Sequence, residues 1–346
     1  AERTDYSGCN LVNLHTGEYD QELLELFGIS ECMNKLPPLR NSTDICGYIT
    51  KDAAKKTGLK EGIPVAGGAF DIDACALAVG ITNEEHVCMI AGTWSINEYI
   101  GSMPVTDGSV MMNSFFCLPD CYLIEECSPT SAGNNEWFIK NLLPELRAEC
   151  KKKNTNIYEQ MNEWVKEIPA EEFCPIYLPF LMASNVHPNA GGSFVGISNY
   201  HTRMHLLRSV YEGVTFCHRY HLERLLRTRK DEPKSIRLAG GAARSPMWTQ
   251  MFADVMKLPV ESVDVNETGA FGCALIAATA CGRYSNVSEA VRKMCRISAP
   301  VLPDPTRSAI YEEKYQLYCK TIEALDGLWD SMQKYRDIHE YKGRRA

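Results

Sequence analysis

No apolar run in this sequence approaches the ~20 residues needed to span a bilayer, and the amino end has no leader-peptide pattern. Basic tracts are scarce. The net charge is −8, and only Lys151–Lys153 and Lys342–Arg345 cluster positive charge, both read as solvated surface. That balance excludes the electrostatic footprint of a nucleic-acid or anionic-membrane binder. Zinc motifs are missing too: Cys117, Cys121 and Cys127 lie close together, but no CxxC pair or neighbouring histidine accompanies them. His201 and His205, and His218 and His221, share helix faces without an HExxH arrangement, which argues against a metalloprotease. There is no Gly-x-Ser-x-Gly for a nucleophilic serine, no internal repeat and no low-complexity tract.

What is present is an ordinary globular composition. The chain has 346 residues, 45% hydrophobic and 23% charged, enough for about two domains on a prior of ~150 residues each. Fifteen cysteines are many, yet they sit in apolar contexts such as Cys75, Cys88, Cys217 and Cys273. Buried free thiols in a reducing compartment fit this better than a disulfide framework, so we expect a cytoplasmic protein.

Along the chain, strands alternate with helices, which predicts an α/β architecture. Asn10–Gly17 reads as an edge strand and turn. Asp20 caps a helix from Gln21 to Phe27, and Asp52–Thr57 is helical up to Gly58. Pro64–Asp71 is a strand meeting a glycine turn, followed by a small-residue helix over Ala74–Val79. Val87–Thr93 is a strand with a hairpin partner to Tyr99, and Tyr122–Glu126 is another strand. Helices are expected over Asn134–Cys150, Ile157–Glu167, Thr202–Arg229 and Pro305–Tyr335. In the third of these, Leu206, Val210, Val214, Cys217, His221 and Leu225 form one stripe.

Three glycine turns follow apolar strands: Gly67-Gly68, Gly92-Thr93 and Gly240-Gly241. Turns of this kind let the backbone approach an anionic or flat ligand at the carboxyl ends of strands. After the last of them, Ser245 can cap a helix, and helix N-termini attract anions. Asp71 and Asp73 flank the first turn. A carboxylate there can act as general base toward a hydroxyl, or simply sit at a helix N-terminus favoured by the macrodipole. The residues alone leave both readings open.

Five blocks then carry a resemblance. Gly67-Gly-Ala-Phe-Asp71 with Ala74 and Ala76 comes first, and Ala91-Gly-Thr-Trp-Ser95 and Glu126-Cys-Ser-Pro-Thr-Ser131 follow. The fourth is Gly196-x4-His201-x6-Arg208-x3-Glu212-Gly213, and the fifth is Ala239-Gly-Gly-Ala-Ala-Arg-Ser245. Their order and spacing resemble the FGGY carbohydrate kinase family from about residue 1 to residue 330. Gly-Thr-Trp-Ser and Leu181-Met-Ala-Ser-Asn-Val186 are more similar to its L-xylulose and 3-keto-L-gulonate kinase branch than to glycerol kinases.

The resemblance implies an actin-like, ribonuclease-H-like fold of two lobes with ATP and Mg2+ between them. Residues 1–81 would be the carboxyl-terminal portion of a first, sugar-binding lobe, left partial here. Residues 82–346 would be a complete nucleotide-binding lobe. Asp71 matches the family's catalytic aspartate, with Asp73 as the fallback because Phe70 blurs the register; Phe70 and Asp71 would touch the sugar. Gly92 and Thr93 match the turn on the ATP phosphates, Gly240, Gly241, Ala242 and Ser245 the turn beside the adenosine. Ala132 and Glu136 match a helix flanking adenine and ribose. The implied reaction is ATP-dependent phosphorylation of a hydroxyl on a ketopentose or related keto-sugar, by an enzyme that forms a homodimer.

One family feature is not found. Members begin with a strand and hairpin reading Asp-x-Gly-Thr, and no such tetrapeptide occurs in these residues. From this we expect the amino-terminal part of the family pattern to be absent, by truncation rather than degeneration. Two rivals follow from the same residues: a non-catalytic ATP-binding scaffold, and an actin-like ATPase without a sugar substrate.

Overall fold

The computed structural model describes residues 1–339; the basic cluster at Lys342–Arg345 lies outside them. The amino-terminal segment carries α1 (Arg3–Gly8), α2 (Gln21–Leu26), a 3-10 turn at Ser30–Lys35, β1 (Ile45–Tyr48), α3 (Lys51–Thr57), β2 (Pro64–Ala66) and α4 (Asp71–Ala78). β3 (His86–Ala91), β4 (Ser95–Gly101), β5 (Met112–Phe115) and β6 (Tyr122–Ser128) come next. α5 (Gly133–Leu142), α6 (Pro144–Lys153), α7 (Ile157–Glu167), β7 (Ile176–Leu178), β8 (Ser193–Val195) and α8 (Arg203–Leu226) follow. The remainder is β9 (Ser235–Gly240), α9 (Pro246–Met256), β10 (Val260–Ser262), α10 (Thr268–Ala280), α11 (Val287–Met294) and α12 (Pro305–His339).

Six strands form the central sheet in the order β10-β9-β3-β4-β6-β5. β3, β9 and β10 run parallel, whereas β3-β4-β6-β5 are antiparallel. Side chains alternate across the pleat, so each strand feeds two cores. On one face Met89, Ile124 and Leu238 pack with Val210 and Val214 of α8, Phe252 of α9 and Tyr315 of α12. On the other, Cys88, Ile100 and Leu123 pack with Ile72 and Leu77 of α4, Leu275 and Ile276 of α10 and Val291 of α11.

The two faces are covered by different means. α8 is anchored by charge. Buried Arg208 donates to Glu212 at 2.8 Å, to the Val165 and Ile168 carbonyls at 2.9 and 2.5 Å, and to the Tyr311 hydroxyl at 2.8 Å. Lys314 of α12 adds a 3.0 Å contact to Glu212. The Arg208/Glu212 block is therefore a tie between α8, α7 and α12. α4 and α10 instead meet through small residues, and a Cβ at Gly272 would overlap the Ala74 backbone.

The expected helices from Gln21, over Ile157–Glu167 and from Thr202 are observed, and Thr202 with His205 forms a capping box. The single helix expected over Asn134–Cys150 is two, because Leu143 leaves helical geometry ahead of Pro144. The expected strand at Asn10–Gly17 is a turn with one isolated bridge, Val12 to Tyr19. All fifteen cysteines are free thiols.

Candidate active site

The last paired residues of β3 and β9 are Ala91 and Gly240, in register on adjacent parallel strands. Two chain segments distant in sequence therefore leave the sheet side by side. Gly240 has φ +85°, and a Cβ there would stand 2.5 Å from the Ala91 carbonyl oxygen, so only glycine allows this junction. The first segment turns at Gly92, whose N–H reaches the Trp94 carbonyl at 3.2 Å. The second continues as a 3-10 turn over Gly241–Arg244. No atom lies within 4 Å of a Cβ built on Gly241, and at Gly92 only Ile90 of its own strand does, at 4.0 Å. Both turns thus border open space.

A third segment joins them. The Ser131 N–H donates to the Thr93 carbonyl at 2.9 Å, and Gly133, which opens α5, would place a Cβ 3.7 Å from Thr93 Cγ2. The Thr93 side chain stays exposed, and half-buried Ala132 is the N-cap of α5 without a side-chain cap. Glu136, one turn on, is exposed and accepts the Tyr158 hydroxyl of α7.

The second turn is tied to α10, since Arg244 donates to the Asn266 carbonyl at 3.0 Å just ahead of that helix. Thr268, its first residue, contacts Cys75 of α4 at 3.4 Å. Asp71 lies one turn before Cys75, at the first position of α4, with an exposed side chain. A chain of contacts therefore runs from the Gly241 turn through α10 to the carboxylate. Phe70, half-buried, donates its N–H to Thr4 at 2.8 Å and lays its ring against Gly8 of α1.

Burial separates the two aspartates. Asp73 is fully buried, accepts the Cys117 N–H at 3.1 Å through one oxygen, and leaves the other without a partner. Burial, with the charge of Glu2 second, pushes its carboxyl well above the ordinary range. It has no surface to meet a substrate, so the fallback assignment is corrected. Ala242 has no exposed surface either, and Ser245 is nearly buried with its hydroxyl capping α9 at the Trp248 N–H, 3.2 Å away. These two shape the turn from its inner side. The exposed glycine of this turn is Gly241.

Sequence reasoning missed a pair of acids. Glu98 and Glu125 face each other across β4 and β6, on the sheet face that α4 covers. Both are buried, and neither Glu98 oxygen has a hydrogen-bond partner. Burial raises both carboxyls, Glu98 well above the usual range and Glu125 to about 7, and the charge of Asp71 contributes to each. Their signal in the sequence was an acidic residue at an inward position of each strand, visible only once the register is known. Among the described residues there is no cluster of three or more His, Cys, Asp or Glu with the geometry to hold an ion.

Comparison with known proteins fits this geometry. Residues 87–281 match the C-terminal domain of the FGGY family of carbohydrate kinases, and residues 1–78 match its N-terminal domain. The second match corrects the expectation that the amino-terminal part of the pattern is absent; that expectation leaned on one tetrapeptide, whereas the match extends across α1 to α4. A probable L-xylulose kinase of Haemophilus influenzae is 36% identical over 94% of this chain and 64% of its own length. The L-xylulose/3-keto-L-gulonate kinase of Escherichia coli is 38% identical over 94% and 63%. The crystal structure of xylulose kinase from Rhodospirillum rubrum superposes with a TM-score of 0.78 at 26% identity, over 92% of this chain and 63% of that one. The chain thus spans a little under two thirds of the length of these relatives, and its fold is the actin-like, ribonuclease-H-like one.

Proposed function

Since this chain belongs to the FGGY family of carbohydrate kinases, we propose that it transfers the γ-phosphoryl group of ATP to a hydroxyl of a ketopentose or related keto-sugar resembling L-xylulose. The observation carrying this reading is the register of Ala91 with Gly240, which brings two open glycine turns side by side at the carboxyl ends of β3 and β9. Its substrate class follows the names of the relatives at 36% and 38% identity. Residues 1–81 form the sugar-side portion and residues 82–346 the nucleotide lobe in this proposal. A homodimer in the cytoplasm is the assembly and compartment proposed.

Phosphoryl transfer asks a protein mainly for alignment and charge neutralisation. At the turn made by Gly92, Thr93 offers its backbone N–H and exposed hydroxyl to the phosphates, and the open surface at Gly241, beside Gly240, takes the adenosine side. Ala132 and Glu136, at the start of α5, flank the base and ribose. Asp71 accepts the proton of the sugar hydroxyl as its oxygen bonds to the γ-phosphorus and the bond to ADP breaks. Phe70 walls the sugar beside it. Mg2+ takes most of its ligands from substrate phosphates and water, so it would enter with ATP and leave the Asp71 carboxylate free to act as base. When bound, the ion supplies neutralisation of phosphate charge.

The test is ADP release from MgATP across a panel of ketopentoses, for the wild type and Asp71→Asn. We expect sugar-dependent turnover that falls about 10²–10⁴-fold in the variant. ATP hydrolysis indifferent to sugar would support the ATPase reading, and nucleotide binding without turnover the scaffold. Near-normal turnover by a well-folded Asp71→Asn variant would remove Asp71 as the base.

A further inference from the structure

Behind the Thr93 turn lies a buried polar chain that the proposed reaction does not use. Ser131, whose backbone N–H holds the Thr93 carbonyl, also meets His218 of α8: Ser131 Oγ is 2.9 Å from His218 Nε2. The other ring nitrogen, Nδ1, is 3.2 Å from Asn97 Oδ1 on β4. Asn97 donates its amide to the Glu126 carbonyl at 3.2 Å, which leaves Oδ1 as the acceptor facing the ring. Ser131, Asn97 and His218 have almost no exposed surface.

The chemistry of the chain fixes each proton. Asn97 Oδ1 can only accept, so His218 Nδ1 carries the hydrogen. Burial, helped by the charge of His221 one turn away, lowers the His218 imidazole to about 3, so the ring is neutral. Its Nε2 is then a bare acceptor and the Ser131 hydroxyl donates to it. A buried neutral histidine with one donor and one acceptor, both used, sets its neighbours without adding charge.

We propose that His218 is a positioning residue for phosphate transfer: through Ser131 it holds the Thr93 carbonyl, and with it the turn that faces the nucleotide. The inference rests on the reading of Gly92 and Thr93 as the phosphate turn. Without the ring, Ser131 keeps its backbone link to Thr93 but loses the support that orients the segment from Thr130 to Gly133. A displacement of this kind, remote from the reacting atoms, is felt at the nucleotide and not at the sugar.

The experiment compares wild type with His218→Phe, which preserves the packing of a flat ring, His218→Gln, which restores one donor and one acceptor, and Ser131→Ala. We expect His218→Phe to lower kcat/KM for MgATP by about 10- to 100-fold, mainly through KM, with KM for the sugar unchanged. Ser131→Ala should reproduce that loss, the double variant should lose no more than either single one, and His218→Gln should recover part of it. Hydrogen exchange over residues 129–134 should quicken in His218→Phe and in Ser131→Ala. Unshifted KM values with unchanged exchange, or equal changes in both substrates' KM, would overturn the proposal. A wild type that binds no MgATP would remove the kinase reading and this one together. An active wild type with variants that match it removes this one alone.

Discussion

Glu125 and Glu126 are neighbours on β6, and they live in opposite environments. Glu126 points toward α8, where its carboxylate meets His221 at 2.9 Å, Arg224 at 3.2 Å and the Met111 N–H at 3.0 Å. Burial of His221 opposes its charge, but hydrogen bonds to Cys217 and Glu126 outweigh this and raise it to about 9. Glu125 points toward α4 and faces Glu98, another acid, with no cation between them. On the helix-α8 face the acid is paired with two cations, which ties β6 to α8, although His221 Nε2 has no partner there. The helix-α4 face stores uncompensated acid groups beside Asp71, and buried groups left in that state are more often retained for a site than for stability.

Breaking the charge-paired side should have the largest effect. Glu126→Ala leaves the His221 imidazolium buried without its partner, and we expect a loss of about 3–5 kcal/mol in denaturant unfolding at neutral pH. A loss below about 1 kcal/mol would erase the distinction between the faces.

The pH profile sharpens the comparison next. The Glu125 carboxyl is raised from 4.5 to about 7 on folding, so the folded state keeps a proton that the unfolded chain releases. Its contribution is full below pH 4.5 and is lost as pH rises through about 7. His221, raised from 6.5 to about 9, contributes fully below 6.5 and loses that contribution as pH rises through about 9. Stability should therefore fall in two overlapping steps. Glu98 and Asp73, also raised by burial, add to this fall, so Glu125→Gln should make the first step shallower and leave the second; an unaltered first step would exclude Glu125 as a source.

The smallest effect is a gain. Glu98→Met replaces two unpartnered buried oxygens with an apolar chain of similar length, and about 1–3 kcal/mol of added stability is expected at neutral pH. A lower denaturation midpoint for Glu98→Met would mean that Glu98 has a partner the carboxylate needs.

Much of the fold was legible in the sequence because its signals are local. Asp20 and Ser245 cap helices where capping chemistry predicts, and the run from Val87 reads as the buried strand it is. Short elements with weak patterns were missed: α1 is six residues held by the Glu2 side chain, and β5 is a half-polar edge strand. The glycine turns of the site were visible for the same local reason. The Asp71 and Asp73 choice was not, since it depends on Cys117 arriving from a distant loop. The pairing of Glu98 with Glu125 and the Ser131–His218–Asn97 chain were hidden because each is defined by a partner on another strand or helix.

Gly272 has a bearing on how the molecule is assembled. α4 is synthesised well before α10, yet α10 is a surface it rests on, reached through the missing Cβ at this glycine. The docking of α4 must therefore wait for the later half of the chain. Asp71, at the head of α4, is seated only with it.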